Sequence, residues 1–204
     1  MNRRLGVLIS GRGSNLQAII DAIADGRLDA EIAVVISNRA DAGGLERARQ
    51  AGIECLVIGH SDYELREVFD RAVVSELKKR EVGVVCLAGF MRLLSTEFVE
   101  AFRDSILNIH PSLLPAFPGL DAQAQAWRYG VKISGATVHI VTPSLDSGPV
   151  VLQAAVPIEE DDTPERLAAR ILEQEHRIYP EAIRLMLDGE WYVDGRRFVR
   201  GSRS

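Results

Sequence analysis

Four runs of β-branched and aliphatic residues, Leu5–Ile9, Ile32–Ile36, Glu54–Ile58 and Val82–Leu87, recur along the first half of the chain with too little alternation for a face in water. Strands of that kind must be covered on both sides, and segments with helical spacing lie between them. Leu16, Ile19, Ile20 and Ile23 fall at i, i+3, i+4 and i+7, and Leu65, Val68, Phe69, Ala72 and Val73 repeat the spacing. Alternating buried strand and amphipathic helix is the pattern of βα units wound around a parallel sheet, so the spacing predicts an α/β fold with a mostly parallel sheet and flanking helices.

After Leu87 the regularity loosens. The sequence reads as a loop over Ala88–Leu94, a short helix near Thr96–Phe102, a strand over Ser105–Ile109 and a proline-rich loop from Pro111 to Gly119. A helix near Ala122–Tyr129 follows, then strands Ile133–Val141 and Pro149–Val156 joined by Thr-Pro-Ser-Leu-Asp-Ser-Gly. Thr163-Pro164-Glu165 supplies a capping residue, a proline at the first helical position and an early acid, opening a long helix to about Leu187. Trp191–Val199, with Asp194-Gly195 at its centre, reads as a hairpin.

The chain has 204 residues, 47% hydrophobic and 26% charged, the make-up of one soluble globular domain. A net charge of -5 gives no electrostatic reason to hold nucleic acid. The apolar run behind Arg3-Arg4 is too short for a signal peptide, and no segment approaches the ~20 apolar residues of a membrane span. A cytoplasmic protein is expected. Cys55 and Cys86 each sit in an apolar run, the setting of reduced, buried thiols rather than of a disulfide or a metal site.

Ser10-Gly11-Arg12-Gly13-Ser14-Asn15 joins the first strand to the first helix, so the amides of Gly13, Ser14 and Asn15 stand at a positive helix N-terminus, where an anion is favoured. The loop fails the dinucleotide pattern twice. Leu16 occupies the third-glycine position, and the second strand ends Ile36-Ser37-Asn38-Arg39 with no acid for a ribose diol. It also lacks the Gly-Lys-Ser/Thr of nucleoside triphosphatases. What remains suits a single phosphate group, or else a tight turn whose glycines serve only chain reversal.

Strand alternation puts Asn108 and His110 on one side where the fifth strand leaves the sheet, the position at which open α/β sheets build their sites. A carboxamide beside an imidazole can stabilise an oxyanion and move a proton near neutral pH. Asp146, in a loop bounded by proline and glycine, would favour the cationic ring if it reached His110. The plainer alternative is that Asn108 and His110 satisfy loop backbone and Asp146 starts a turn. No Gly-x-Ser-x-Gly elbow competes, and His60, His110, His139 and His176 lack metal-ligand spacing. His139, inside a strand, reads as a hydrogen-bonded core or supporting group. Glu175 falls on the apolar stripe Ala168, Ile171, Leu172, Ile178 and Ala182 of the long helix, where a lone carboxylate is costly unless paired.

The strings Asn108-Ile-His-Pro-Ser-Leu-Leu-Pro115, Phe117-Pro-Gly-Leu120 and Leu145-Asp-Ser-Gly-Pro149, in this order and spacing, resemble the folate-dependent formyltransferases, and the likeness runs from about Arg4 to about Gly195. It implies one Rossmann-like formyltransferase domain over residues 1–204, with a phosphate-binding half near 1–100 and a catalytic and folate half near 101–190. The implied reaction is transfer of the formyl group of 10-formyltetrahydrofolate to the amine of glycinamide ribonucleotide in purine biosynthesis. The amine attacks directly, a tetrahedral intermediate forms, and Asn108 with protonated His110 holds the oxyanion while Asp146 keeps the ring charged. The resemblance assigns Gly13, Ser14 and Asn15 to the substrate phosphate, and Arg66, Met91, Arg92, Leu93, Leu94 and Asn108 to folate. Glu175 is assigned to the substrate amine or ribose; otherwise it would pair with an arginine such as Arg12 or Arg39. No metal and no nucleic-acid or membrane partner is implied, and monomer and homodimer are both open.

Asp121 stands where the family commonly carries histidine, and its place before Ala122 suits it to cap the next helix. Two alternatives remain beside the transferase: a formyltetrahydrofolate hydrolase, which usually carries an added regulatory domain, and a catalytically silent folate or nucleotide binder.

Overall fold

The structure, a computed structural model, describes residues 2–202. Its elements are β1 (Arg4–Ile9), α1 (Ser14–Ala24), β2 (Glu31–Ser37), α2 (Gly44–Gln50), β3 (Cys55–Val57), α3 (Arg66–Lys79), β4 (Val84–Leu87), α4 (Thr96–Ala101) and β5 (Ile106–His110). The second half adds α5 (Ala122–Tyr129), β6 (Ile133–Ile140), β7 (Val150–Pro157), α6 (Pro164–Asp188), β8 (Trp191–Asp194) and β9 (Arg197–Arg200). All described strands join one sheet in the order β3-β2-β1-β4-β5-β6-β7-β9-β8. The pairs from β3 through β5 are parallel, whereas β5–β6 and β6–β7 are antiparallel. The α/β reading of the hydrophobic runs therefore holds.

Two apolar clusters cover the two faces of the sheet. Leu5, Val7 and Ile9 of β1, with Val84 and Cys86 of β4 and Leu107 and Ile109 of β5, pack under α1 and α6. Leu8, Val85, Leu87 and Ile106 point the other way, under Phe69 and Val73 of α3 and Phe98 of α4. Because both faces of these strands are buried, their sequence shows continuous runs rather than alternation. The long helix α6 begins as its sequence demands. Thr163 accepts the amide of Arg166, Pro164 occupies the first turn, and Gly189 closes the helix in a left-handed conformation at φ 75°.

Three local expectations change. A helix, α2, lies between β2 and β3 where no periodic segment was visible; it has seven residues and buries only Gly44, Leu45 and Ala48, too few to print a helical period. Cys86 is buried, and desolvation pushes its thiol up to about 12, but Cys55 lies on the edge strand β3 and is only half-buried. His110 belongs to β5, paired with Thr137 of β6, so the strand runs one residue beyond Ile109. Among the described residues no helix is long and apolar enough to cross a membrane.

Candidate active site

The connections from β1 to β2 and from β1's other neighbour β4 to β5 leave in opposite directions, which opens a crevice at the carboxyl ends of β1 and β4. The glycine loop follows β1 into that crevice. Gly13, at φ 73°, is the N-cap of α1 and offers no side-chain acceptor, so the first-turn amides keep their anion-binding capacity. A Cβ on Gly13 would collide with the Gly44 backbone, and one on Gly44 would come within 2.7 Å of Ile9 Cδ1. This close approach brings α2 against the loop, and Arg47 of α2 donates to the Arg12 carbonyl at 2.9 Å and to Gln17 Oε1 at 3.3 Å. Ser14, Gln17, Asp21, Arg47 and His176 line a cavity of about 330 Å³ beside the loop. Arg47 has no sequence signal of its own, since α2 is too short to reveal which of its arginines reaches the glycine loop.

Asn15 departs from the other two loop residues. Its Nδ2 donates to Glu175 Oε2 at 2.7 Å, both residues are buried, and among the described residues Asn15 Oδ1 has no partner. The partner of Glu175 is thus a carboxamide rather than Arg12 or Arg39; Arg39 is instead paired with Asp41 at 2.8 Å. Burial pushes the Glu175 carboxyl up, and the Asn15 hydrogen bond offsets this only in part.

Asn108 and His110 share the face of β5 that α3 and α4 leave open near its carboxyl end. Antiparallel register sets Asn108 opposite His139 and His110 opposite Thr137. Asn108 Nδ2 meets His139 Nε2 at 3.1 Å, while His139 Nδ1 donates to the Ile140 carbonyl at 3.1 Å; that tautomer leaves Nε2 free to accept from the carboxamide. His110 Nε2 donates to the Phe117 carbonyl at 2.9 Å, and its Nδ1 lies 3.5 Å from Asp146 Oδ2. The two ring nitrogens thus face a carbonyl oxygen and a carboxylate. Asp146 also approaches His139 Nε2, at 3.7 Å through Oδ1, and accepts the Gly119 amide at 2.8 Å. Burial would raise its carboxyl, but the His139 and His110 rings and the Gly119 amide outweigh this and hold it below the usual range. His139 is the member of this group that strand alternation alone does not reveal.

The loop carrying Phe117 is fastened to β6 and β7. Thr137 donates to the Ser112 carbonyl at 2.6 Å and accepts the Leu114 amide at 3.0 Å, and Gln153 donates to the Leu114 carbonyl at 2.9 Å. Asp121 does not cap α5. Its backbone is left-handed, at φ 55° and ψ 34°, and no side-chain cap bond forms, because reaching the first-turn amides requires an extended N-cap residue. The exposed Asp121 leaves the turn to Gln125, which donates to the Leu120 carbonyl at 2.7 Å.

Beyond β4, Met91 and Leu93 are 65% and 57% exposed, so they are not core, whereas Leu94 packs against the cluster under α3. The Arg92 guanidinium lies 5.0 Å from the Phe69 ring centroid, and its buried Nε has no partner among the described residues. Arg66 heads α3 one turn before Phe69 and pairs with Glu67 at 3.2 Å. Arg66 and Arg92 therefore flank one wall, and no hydrogen bond or ion pair among the described residues ties Arg66 to Asn108, His110 or Asp146. No group of three or more potential metal ligands occurs among the described residues.

Phosphoribosylglycinamide formyltransferase of Escherichia coli is 49% identical over 190 residues, covering 93% of this chain and 87% of that protein. The trifunctional purine biosynthetic protein adenosine-3 of Drosophila melanogaster is 49% identical over 189 residues; the match covers 92% of this chain but only 14% of that longer protein. The crystal structure of glycinamide ribonucleotide transformylase 1 from Symbiobacterium toebii superposes with a TM-score of 0.96 at 55% identity, covering 98% of this chain and 95% of that one. Residues 3–183 match the formyl transferase family, and the chain belongs to it.

Proposed function

We propose that the chain transfers the formyl group of 10-formyltetrahydrofolate to the amine of glycinamide ribonucleotide, a one-carbon step of purine biosynthesis. The observation that carries this reading is the convergence of Asn108, His110 and Asp146 at the carboxyl end of β5, next to a loop suited to a phosphate. Residues of about 1–100 supply the phosphate cradle and those of about 101–190 the chemistry. Gly13 and Ser14, with the backbone amide of Asn15, hold the phosphate. Glu175 faces the ribose or the amine, where a buried carboxylate with one neutral donor gains most from a positive or hydroxyl-bearing partner. Met91, Leu93 and Leu94 offer apolar surface to the folate rings, and Arg66 and Arg92 suit the carboxylates of the donor.

The amine attacks the formyl carbon, a C–N bond forms, and the carbonyl electron pair moves onto oxygen. The His110 imidazolium and the free N–H of the Asn108 carboxamide receive that charge. A developing oxyanion outcompetes the neutral Phe117 carbonyl for the ring N–H, since hydrogen bonds to charged acceptors are about twice as strong. Collapse of the intermediate breaks the bond to N10, which takes up the proton lost by the amine through a water held by Asp146.

Following loss of 10-formyltetrahydrofolate by absorbance, with and without glycinamide ribonucleotide, tests the reading. Amine-dependent turnover supports it. Turnover without the amine points to a hydrolase, and no turnover points to a silent binder.

A further inference from the structure

Ser10, the first residue past β1, is tied sideways into both neighbouring strands. Its amide donates to the Gly89 carbonyl at 3.1 Å, its Oγ accepts the Met91 amide at 2.9 Å, and the same hydroxyl donates to Asn38 Oδ1 at 2.6 Å. Asn38 directly follows β2, and its Nδ2 meets His60 Nδ1 at 3.3 Å. Ser10 and Asn38 are each 6% exposed. The seam lies just past the last backbone pairs, Ile9 with Ser37 and Leu8 with Leu87, where the parallel ladder ends. Side chains thus carry the connection from β2 to β1 past the backbone ladder, and on the β4 side the Ser10 hydroxyl adds to the last backbone bond.

Position lends the seam its meaning. The glycine loop starts at Gly11 on one side of Ser10, and the exposed apolar wall starts at Met91 on the other. Under the formyl-transfer reading the first holds the amine-bearing substrate and the second the formyl donor. Two reacting atoms must be brought to roughly 3–3.5 Å, and a misplacement of about 1 Å costs on the order of 10²-fold. The Ser10 hydroxyl has spent its one proton on Asn38, and its Oγ is occupied by Met91, so it is not disposed to bind a substrate itself.

We propose that Ser10 and Asn38 are positioning residues that set the separation of the two substrates by locking the Met91 wall to the glycine loop; this rests on the formyl-transfer reading. Neither residue touches the reacting atoms. The test is steady-state kinetics of Ser10→Ala, Asn38→Ala and the double variant on protein shown to be folded by circular dichroism. Ser10→Ala should lower kcat by about 10–100-fold with each KM within about threefold, because misplacement is felt in the transition state more than in binding either substrate. Asn38→Ala should act in the same direction, and the double variant should be no worse than the poorer single one, since both changes break the shared Ser10–Asn38 bond. A folded Ser10→Ala enzyme with kcat within about twofold of the parent, or a loss confined to KM, overturns the proposal. If Ser10→Ala does not fold, Asn38→Ala, which keeps the Met91 bond acceptor, decides by the same criteria. An unaltered chain without amine-dependent turnover overturns the formyl-transfer reading and this proposal with it; an active chain with an equally active Ser10→Ala overturns this proposal alone.

Discussion

Replacing Glu175 by glutamine should make the protein more stable while impairing it as an enzyme. The carboxylate is 6% exposed and receives one hydrogen bond, from a neutral carboxamide at 2.7 Å. That is poor compensation for a desolvated charge. In Glu175→Gln the new side chain would keep an oxygen to accept from Asn15 Nδ2, and its amide would face Asn15 Oδ1, which has no partner among the described residues. Removing the charge and satisfying that oxygen is expected to contribute about 1–2 kcal/mol. At roughly 2–4 °C per kcal/mol for a chain of this size, Tm should rise by about 2–8 °C. The sign with pH follows from the raised carboxyl of Glu175. A group whose folded pKa lies above its unfolded value favours the folded state fully below the unfolded value, and that contribution is lost as pH rises through the folded value. The advantage of Glu175→Gln should therefore grow as pH rises above the ordinary carboxylate range, as read by calorimetry at a series of pH values. KM for glycinamide ribonucleotide should rise about tenfold or more with little change in the folate KM. A lower Tm for Glu175→Gln at the top of that pH series, or a gain independent of pH, would rule out a costly buried charge at Glu175.

Three further outcomes are expected. His110→Ala and Asp146→Asn should keep their Tm within a few degrees and their affinity for tetrahydrofolate, measured by fluorescence, but lose on the order of 10²–10³ in turnover. Gly13→Ala forces a side chain onto a left-handed residue and against the Gly44 backbone, so its urea midpoint should fall by the equivalent of about 1–3 kcal/mol. Thr137→Val leaves the Leu114 amide without its acceptor in a buried setting and should cost about 1–3 kcal/mol by the same titration, with kcat falling as the loop that carries Phe117 loosens.

What could be read in the sequence was local and periodic. Strands β1, β2 and β4 announce themselves because two helical layers cover them, which leaves no polar face to interrupt the run. Asn108 and His110 were legible because strand alternation is a property of adjacent residues. Their neighbour His139 is brought in by antiparallel register 31 positions away, and its place in a strand said only that it was supported, not by what. Glu175 stood out as a carboxylate on an apolar stripe, but its partner Asn15 lies 160 positions away and is met only when α6 packs on α1. Asp121 had the chemistry of a cap; the preceding loop delivers it in a left-handed conformation that its side chain cannot use.

Formyl transfer as proposed needs Asp146 to hold His110 as an imidazolium ready to receive negative charge. Nitrogen-15 NMR of the ring at neutral pH reads that state. Protons on both Nδ1 and Nε2 in the unaltered protein, with Nδ1 losing its proton in Asp146→Asn, is the predicted result. A neutral His110 ring beside an intact Asp146 would contradict it.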